Sequence, residues 1–373
     1  MRRLSIVHTE SSLGWGGQEI RILSESRGLI GRGHQATILC PAEARIFSEA
    51  PAWGVPAVAL PIARKRPAGV GALRAWLRAN RCDVLNTHSS TDSWLAALAV
   101  ASLEWTLPIV RTRHISAPVP KNPFSRWLYE KAAAKIVTTG AALKQQLVAE
   151  NGFPAERIES VPTGIDAGRF RPGKRGEARA KLGLSAQATL VGIVATLRSW
   201  KGHGFLLDAM RSLPATIELV VVGDGPMRPT LERQVEEWDL RQRVRMVGNQ
   251  TDVVPWLQAL DIFALPSYAN EGVPQALIQA MLCAVPCVTT NVGSIAELAR
   301  DGETALVVPA RDAKALAGAL ERLATDRALA AELARAARRH CVENFSYDRM
   351  LDRMEAIYGE VCGARVEGER ALR

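Results

Sequence analysis

Aromatic side chains supply only 5% of the 373 residues, and histidine occurs six times. Cysteine is sparse and unpatterned: positions 40, 82, 283, 287, 341 and 362 form no CxxC, which excludes a zinc ribbon or a thioredoxin-type redox centre. Cys283 and Cys287 flank Val285-Pro286 in apolar surroundings with no His nearby, so buried free thiols are expected rather than a metal pair. There is no DxD pair and no His or Cys cluster, so no metal or other cofactor is expected. A full GxGxxG and a Walker loop are both missing. No apolar run reaches the roughly 20 residues of a membrane span. The start, Met1-Arg2-Arg3, leads straight into a short strand with no signal-peptide pattern, so the cytoplasm is the expected compartment.

What is present is an ordinary globular composition, 47% hydrophobic and 23% charged, in a chain longer than one core usually serves; two domains follow. The net charge of +9 is uneven. Residues 1–165 hold 20 basic and 12 acidic side chains, net +8, and residues 166–373 are nearly balanced. A basic half suits an anionic partner, and Arg64-Lys65-Arg66 beside Pro61 and Pro67 suggests a reversible contact with an anionic membrane surface. Arg335, Arg338 and Arg339 sit among acidic residues on a solvated helix, so nucleic acid is not expected.

Apolar runs at 4–9, 35–40, 57–60, 83–87, 109–113 and 135–139 predict strands, and helical patterns at 18–30, 73–80, 93–101, 126–133 and 141–150 alternate with them. The second half repeats the theme, with strands at 189–195, 217–222, 243–247, 262–265, 287–290 and 305–308, and is helical from Ala313. Such alternation predicts two parallel α/β sheets with a cleft between them, joined near Val161-Pro162-Thr163-Gly164. Ligands in such sheets bind beyond the carboxyl ends of strands. Five stretches with chemistry fall there. GWGGQE places Gly16 and Gly17 before a helix; His88 and the pair Arg113 and His114 follow two further strands; ATLRSWKG carries Arg198 and Lys201; and Gly223-Asp224-Gly225-Pro226 makes a turn open to close approach.

The fullest stretch is FALPSYANEGVPQALIQAMLCAVPCVTT, over 263–290. It delivers Glu271 in a turn, then Gly272, Val273 and Pro274 at the expected first helical turn, then Gln275 and Gln279 on one helix face. A carboxylate here balances a helix dipole in the plainest reading. The facing amides point further, to phosphate on the helix amides and sugar hydroxyls on Glu271 and Gln279. Gly293-Ser294 follows, with Ser294 as expected N-cap of a helix ending near Glu297.

The stretch resembles the EGxP motif of the retaining family 4 glycosyltransferases, with Gln279 where that family has a second Glu. Lys201-Gly202 is similar to its KG element and Gly223 to Pro226 to its GxGP turn, whereas Thr196 stands where the family places Arg, leaving Arg198 as a candidate substitute. The resemblance implies a GT-B fold: an acceptor domain over 1–165, a nucleotide-sugar domain over 166–345, and a C-terminal helix, about 346–373, crossing back to the first. It implies a metal-independent transferase, similar to lipopolysaccharide-core hexosyltransferases, moving a hexose-type sugar from a nucleotide diphosphate sugar, UDP-linked, to a lipid-linked or lipopolysaccharide-core saccharide. Lys201 and Arg198 would then face the diphosphate, Glu271 the sugar, Gln279 the ribose and His114 the transferred sugar, with His88 and Arg113 toward the acceptor. The protein would work in the cytoplasm, peripheral to the inner face of the membrane. A nucleotide-sugar epimerase, or a sugar-nucleotide-binding protein that has lost catalysis, are the alternatives.

Overall fold

The computed structural model describes residues 2–115, 117–269 and 271–371, with side chains described to residue 363. Ser116 and Asn270, in two of the candidate loops, lie outside the described residues. The chain divides into two compact units, one running to Thr163 and resuming at Asp348, the other Gly164–Tyr347.

Unit 1 is a seven-stranded sheet, β1 (Ser5–Thr9), β2 (Gln35–Cys40), β3 (Ala57–Ala59), β4 (Val84–Thr87), β5 (Ile109–Arg113), β6 (Lys135–Thr138) and β7 (Ile158–Ser160), in the order β3-β2-β1-β4-β5-β6-β7. Every pairing is parallel. The connecting helices are α1 (Gly17–Gly31), α2 (Arg45–Glu49), α3 (Pro67–Ala79), α4 (Ser90–Ala101), α5 (Pro123–Trp127) and α6 (Ala141–Asn151). The central strands β1, β4, β5 and β6 are short and mostly buried, as parallel strands covered on both faces must be, while the edge strands β3 and β7 are only partly covered. β7 falls where no strand is predicted, because three residues including Glu159 give no apolar run. The stretch expected as one helix over 126–133 is instead α5 followed by a π-turn, Leu128–Ala132.

Unit 2 holds β8 (Thr189–Val194), β9 (Ile217–Val222), β10 (Val244–Gly248), β11 (Ile262–Leu265), β12 (Cys287–Thr289) and β13 (Leu306–Val307), ordered β10-β9-β8-β11-β12-β13. Its helices are α7 (Arg175–Leu182), α8 (His203–Ser212), α9 (Arg228–Glu237), α10 (Val254–Ala259), α11 (Gln275–Leu282), α12 (Ala313–Thr325) and α13 (Arg327–Asn344). Asp312 and Asp326 cap α12 and α13, accepting from Ala315 N at 2.8 Å and Leu329 N at 2.9 Å. All six cysteines are buried and free.

Several helix starts differ from the sequence reading: α3, α4 and α5 begin at Pro67, Ser90 and Pro123, earlier than the expected 73, 93 and 126, because their first turns hold proline or polar residues that break the apolar pattern. Two caps differ as well. Pro274 is the N-cap of α11, with ψ of 120°, because the chain arrives extended from the turn and the helix begins only at Gln275. Gly293–Glu297 is a single 3-10 turn whose N-cap is Val292; the Ser294 hydroxyl is buried without a partner instead of capping.

The last helix, α14 (Tyr347–Ala371), packs within unit 1 from Asp348 onward. Its Tyr358 hydroxyl donates to Glu25 at 2.7 Å and accepts from Asn86 Nδ2 at 2.7 Å. Glu355 receives Arg32 and meets His34 Nε2 at 2.8 Å, while Glu360 pairs with Lys135 at 2.9 Å. Among the described residues no helix is long and apolar enough to cross a membrane.

Candidate active site

Both strand orders reverse once, between β1 and β4 in unit 1 and between β8 and β11 in unit 2. At such a point the loops leaving two neighbouring strands diverge and open a crevice. The polar candidates gather at these two places.

In unit 2 the loop after β8 brings Lys201 to Glu271, from the loop after β11: Nζ donates to Oε1 at 2.7 Å, and Ser267 Oγ donates to the same oxygen at 2.6 Å. The Glu271 side chain is 5% exposed and that of Lys201 21%. Two glycines permit this closeness. Gly202 has φ of 79°, and a Cβ there would stand 2.0 Å from the Pro266 carbonyl oxygen; Gly293 has φ of 60°, with a Cβ 2.1 Å from the Glu271 carbonyl oxygen. Gly272, Val273 and Pro274 are buried as the chain enters α11, and Gln275 and Gln279 lie half-buried one turn apart. The Gly223–Pro226 turn is fastened to the β8 loop, since Leu197 N donates to the Asp224 carbonyl and Met227 N to the Leu197 carbonyl, each at 3.0 Å, and it is braced internally by Gly225 N donating to Asp224 Oδ1 at 2.7 Å.

Arg198 is not brought to this pair. Its guanidinium lies 5.7 Å over Trp200, and the residue lines a cavity of about 310 Å³ between α8 and α9, together with Phe205, Gln234, Trp238 and Tyr268, which neither Lys201 nor Glu271 lines. His203, buried at the start of α8, has its pKa lowered to about 4 by burial and by Lys201, against the Arg198 backbone.

In unit 1 three imidazoles form a chain: His8 Nδ1 meets His88 Nε2 at 2.9 Å, and His88 Nδ1 meets His114 Nε2 at 2.9 Å. Burial holds the pKa of each below the ordinary range, well below for His88 and His114, so all three are neutral near pH 7. Beside them Asp92 accepts from Thr9 Oγ1 (2.8 Å), Ser11 Oγ (3.2 Å), and the His88 and Ser89 backbone amides (2.9 Å each). Glu10 accepts from Ser12 N at 2.7 Å, Ser89 Oγ at 2.5 Å and the Gln18 amide. Burial, then the charge of Asp92, push the Glu10 carboxyl up to about 8. Gly16 is the N-cap of α1, with Gly17 as its first residue, so GWGGQE starts that helix next to Glu10 through Gln18. Arg113 turns back on its own loop, donating to Tyr129 OH at 2.5 Å and the Ala117 carbonyl at 2.6 Å.

The structure thus joins Lys201 to Glu271 and His88 to His114. Sequence reasoning missed Ser267, Glu10, Asp92 and the part played by His8. Glu10 alone carried a signal, as a carboxylate directly after a buried strand.

Two doubly wound parallel sheets, each with polar loops at its switch point, are the GT-B architecture. A family model described as Glycosyltransferase Family 4 matches residues 15–169, and one described as Glycosyl transferases group 1 matches residues 188–326. The D-inositol 3-phosphate glycosyltransferase of Salinispora arenicola is 31% identical over 333 residues, covering 80% of this chain and 73% of that protein. Its namesake from Rhodococcus jostii is 31% identical over 293 residues, covering 71% of this chain; the chain spans 64% of that relative's length. Among solved structures, Anabaena HepE in complex with UDP-glucose superposes with a TM-score of 0.87 at 20% identity, over 96% of this chain and all of that one. The chain belongs to glycosyltransferase family 4, the group 1 glycosyl transferases.

Proposed function

We propose that the protein is a retaining, metal-independent glycosyltransferase that moves a hexose-type sugar from a nucleotide diphosphate sugar to a saccharide or lipid-linked acceptor. The observation that carries this is the Lys201–Glu271 pair at the switch point of unit 2, beside the start of α11. Breaking the glycosidic bond places growing negative charge on the departing diphosphate, and a fixed cation with helix amides lowers that barrier. Glu271, held by Lys201 and Ser267 through Oε1, keeps Oε2 for a sugar hydroxyl. Gln279 serves the ribose, and Gly223, Gly225 and Pro226 let the nucleotide approach.

UDP is the nucleotide we put first, because HepE is solved with UDP-glucose. For the acceptor, a lipid-linked or lipopolysaccharide-core saccharide is the first reading, supported by the exposed Arg64-Lys65-Arg66 segment on unit 1. The names of the relatives favour a second acceptor class, a polyol phosphate such as D-inositol 3-phosphate. The experiment is transfer from radiolabelled UDP-hexoses to each acceptor class, with and without EDTA, for the parent and Lys201→Ala. Lys201→Ala should lose about 100-fold in turnover, in the range of removing one preorganised donor. Transfer abolished by EDTA and restored by Mn²⁺, or a variant within threefold of the parent, would refute the mechanism. Sugar-nucleotide isomerisation without an acceptor would establish the epimerase instead.

A further inference from the structure

The cavity between α8 and α9 lies wholly within unit 2 and has no part in the proposed transfer: Lys201, Glu271 and Gln279 do not line it. At about 310 Å³ it falls at the lower end of the ~300–1,000 Å³ typical of small-molecule sites. Much of its wall is aromatic. Phe205 meets the Tyr268 ring edge to face at 5.9 Å, and Trp238 has the Arg211 guanidinium over it at 5.0 Å, itself paired with Asp208 at 2.9 Å.

Two polar side chains in this wall lack partners among the described residues. His203 is only 3% exposed, and neither of its ring nitrogens makes a hydrogen bond. Gln234 Oε1 is buried and equally unpartnered. The two are neighbours, since a Cβ on Gly204, the residue after His203, would stand 3.6 Å from that oxygen. Left unmet, such groups cost about 1–3 kcal/mol each. A neutral imidazole has one N–H and one bare nitrogen, and an amide oxygen only accepts. Hydroxyl groups, each both donor and acceptor, satisfy that set; a hydrocarbon satisfies none of it, and a carboxylate has no hydrogen for Gln234. The exposed Arg198 and the partly exposed Asp208 add a donor and an acceptor to the lining.

We infer that this cavity binds the pyranose ring of a saccharide, separately from the donor, with the C–H face of the ring against Phe205, Trp238 and Tyr268 and its hydroxyls on His203 and Gln234. Aromatic faces carry partial negative charge and attract C–H hydrogens polarised by neighbouring oxygens. A phenol would fill the same wall but brings one hydroxyl, whereas a pyranose carries them around its rim. Arg198 belongs to the loop that holds Lys201, and Tyr268 follows Ser267, so a bound saccharide touches the segments that position the Lys201–Glu271 pair. The inference goes beyond the transferase reading, and its test needs no turnover.

Saturation-transfer NMR on the full chain, with methyl glucoside, methyl galactoside, methyl mannoside and phenol as separate probes, reads binding directly. At least one hexoside should bind with a Kd of about 1 mM, and excess UDP should not displace it. Gln234→Leu keeps the bulk and removes the acceptor, and should weaken binding about tenfold, the scale of one hydrogen bond. Trp238→Ala removes part of the wall and should abolish it. Four results overturn the inference: no hexoside binding up to about 50 mM, binding of phenol alone, displacement of the hexoside by UDP, or a Gln234→Leu protein that binds like the parent. If Trp238→Ala does not fold, Gln234→Leu decides. An inactive transferase that still binds the hexoside through Gln234 would refute the proposed reaction and leave this site standing.

Discussion

Lys201 and Glu271 neutralise each other at 2.7 Å, so in the proposed mechanism neither acts alone: a phosphate drawing on Lys201 would loosen its hold on Glu271 and couple donor binding to sugar orientation. Glu271→Gln should therefore lower turnover more than it raises the Michaelis constant. Gln279 is different, being a half-buried amide whose proposed ribose contact is equal in ground and transition states. Restoring the family carboxylate with Gln279→Glu adds charge-assisted hydrogen bonds and repulsion from the diphosphate, opposing effects each of order 1 kcal/mol. Steady-state kinetics should show the donor's Michaelis constant changed by less than about tenfold and turnover nearly intact. A collapse of turnover in Gln279→Glu beside a silent Glu271→Gln would reverse the two roles. Residues of this kind were legible because they sit in loops, in order along the chain. Asp92 and His8 were not, since their meaning comes from partners some 80 positions away that only strand register brings together.

At the scale of elements, the strands could be read closely because buried parallel strands are short apolar runs between turn residues, and most bounds agree within a residue or two. The starts of helices were harder. Pro274 shows the limit: proline suits both a first helical turn and an extended cap, and only the path of the chain from Glu271 decides. Loop contacts such as Gly293 against Glu271 left no trace in the sequence beyond the glycine itself. Gly293→Ala tests this one, because a Cβ at φ of 60° would meet the Glu271 carbonyl and force the turn apart. A thermal melt should show a loss of about 1 to 3 kcal/mol, with turnover falling as Glu271 shifts. An unchanged melt would mean that the backbone yields there at no cost.

For the whole molecule, buried ionisable groups set the response to pH. The Glu10 carboxyl is raised from 4.5 to about 8, so its contribution to stability is complete below pH 4.5 and is lost as pH climbs through 8. His8, His88 and His114 are lowered from 6.5, so theirs is present above 6.5 and lost as pH falls. Between pH 6.5 and 8.5 Glu10 dominates, and stability should drop by roughly 2 kcal/mol. Calorimetry of Glu10→Gln should show that alkaline decline flattened; an equal decline in both proteins would assign it elsewhere. The exposed Arg64, Lys65 and Arg66 supply a separate test. Each contributes about 1 kcal/mol near an anionic surface, so replacing all three by Gln should weaken sedimentation with anionic vesicles roughly a hundredfold, and salt should do the same to the parent. Equal binding to neutral vesicles would count against an electrostatic contact.

The return of α14 to unit 1 has a consequence for the order in which the protein is made. As the chain leaves the ribosome, the segment up to Thr163 emerges with Arg21 and Glu25 committed to an interior whose closing residues, Met354 and Tyr358, are almost 200 positions behind. Arg21 and Glu25 pair with each other, but the Tyr358 hydroxyl that completes Glu25 is still missing, and a buried ion pair short of its hydrogen bonds opposes folding, so the first unit to appear is the last to be completed, and Gly164–Tyr347 can fold while its predecessor waits. Nascent chains arrested through a C-terminal extension so that residue 347, but not Tyr358, has cleared the exit tunnel should accordingly show a protease-resistant second unit and a protease-sensitive first one, with resistance spreading to the first unit only once Tyr358 is also clear.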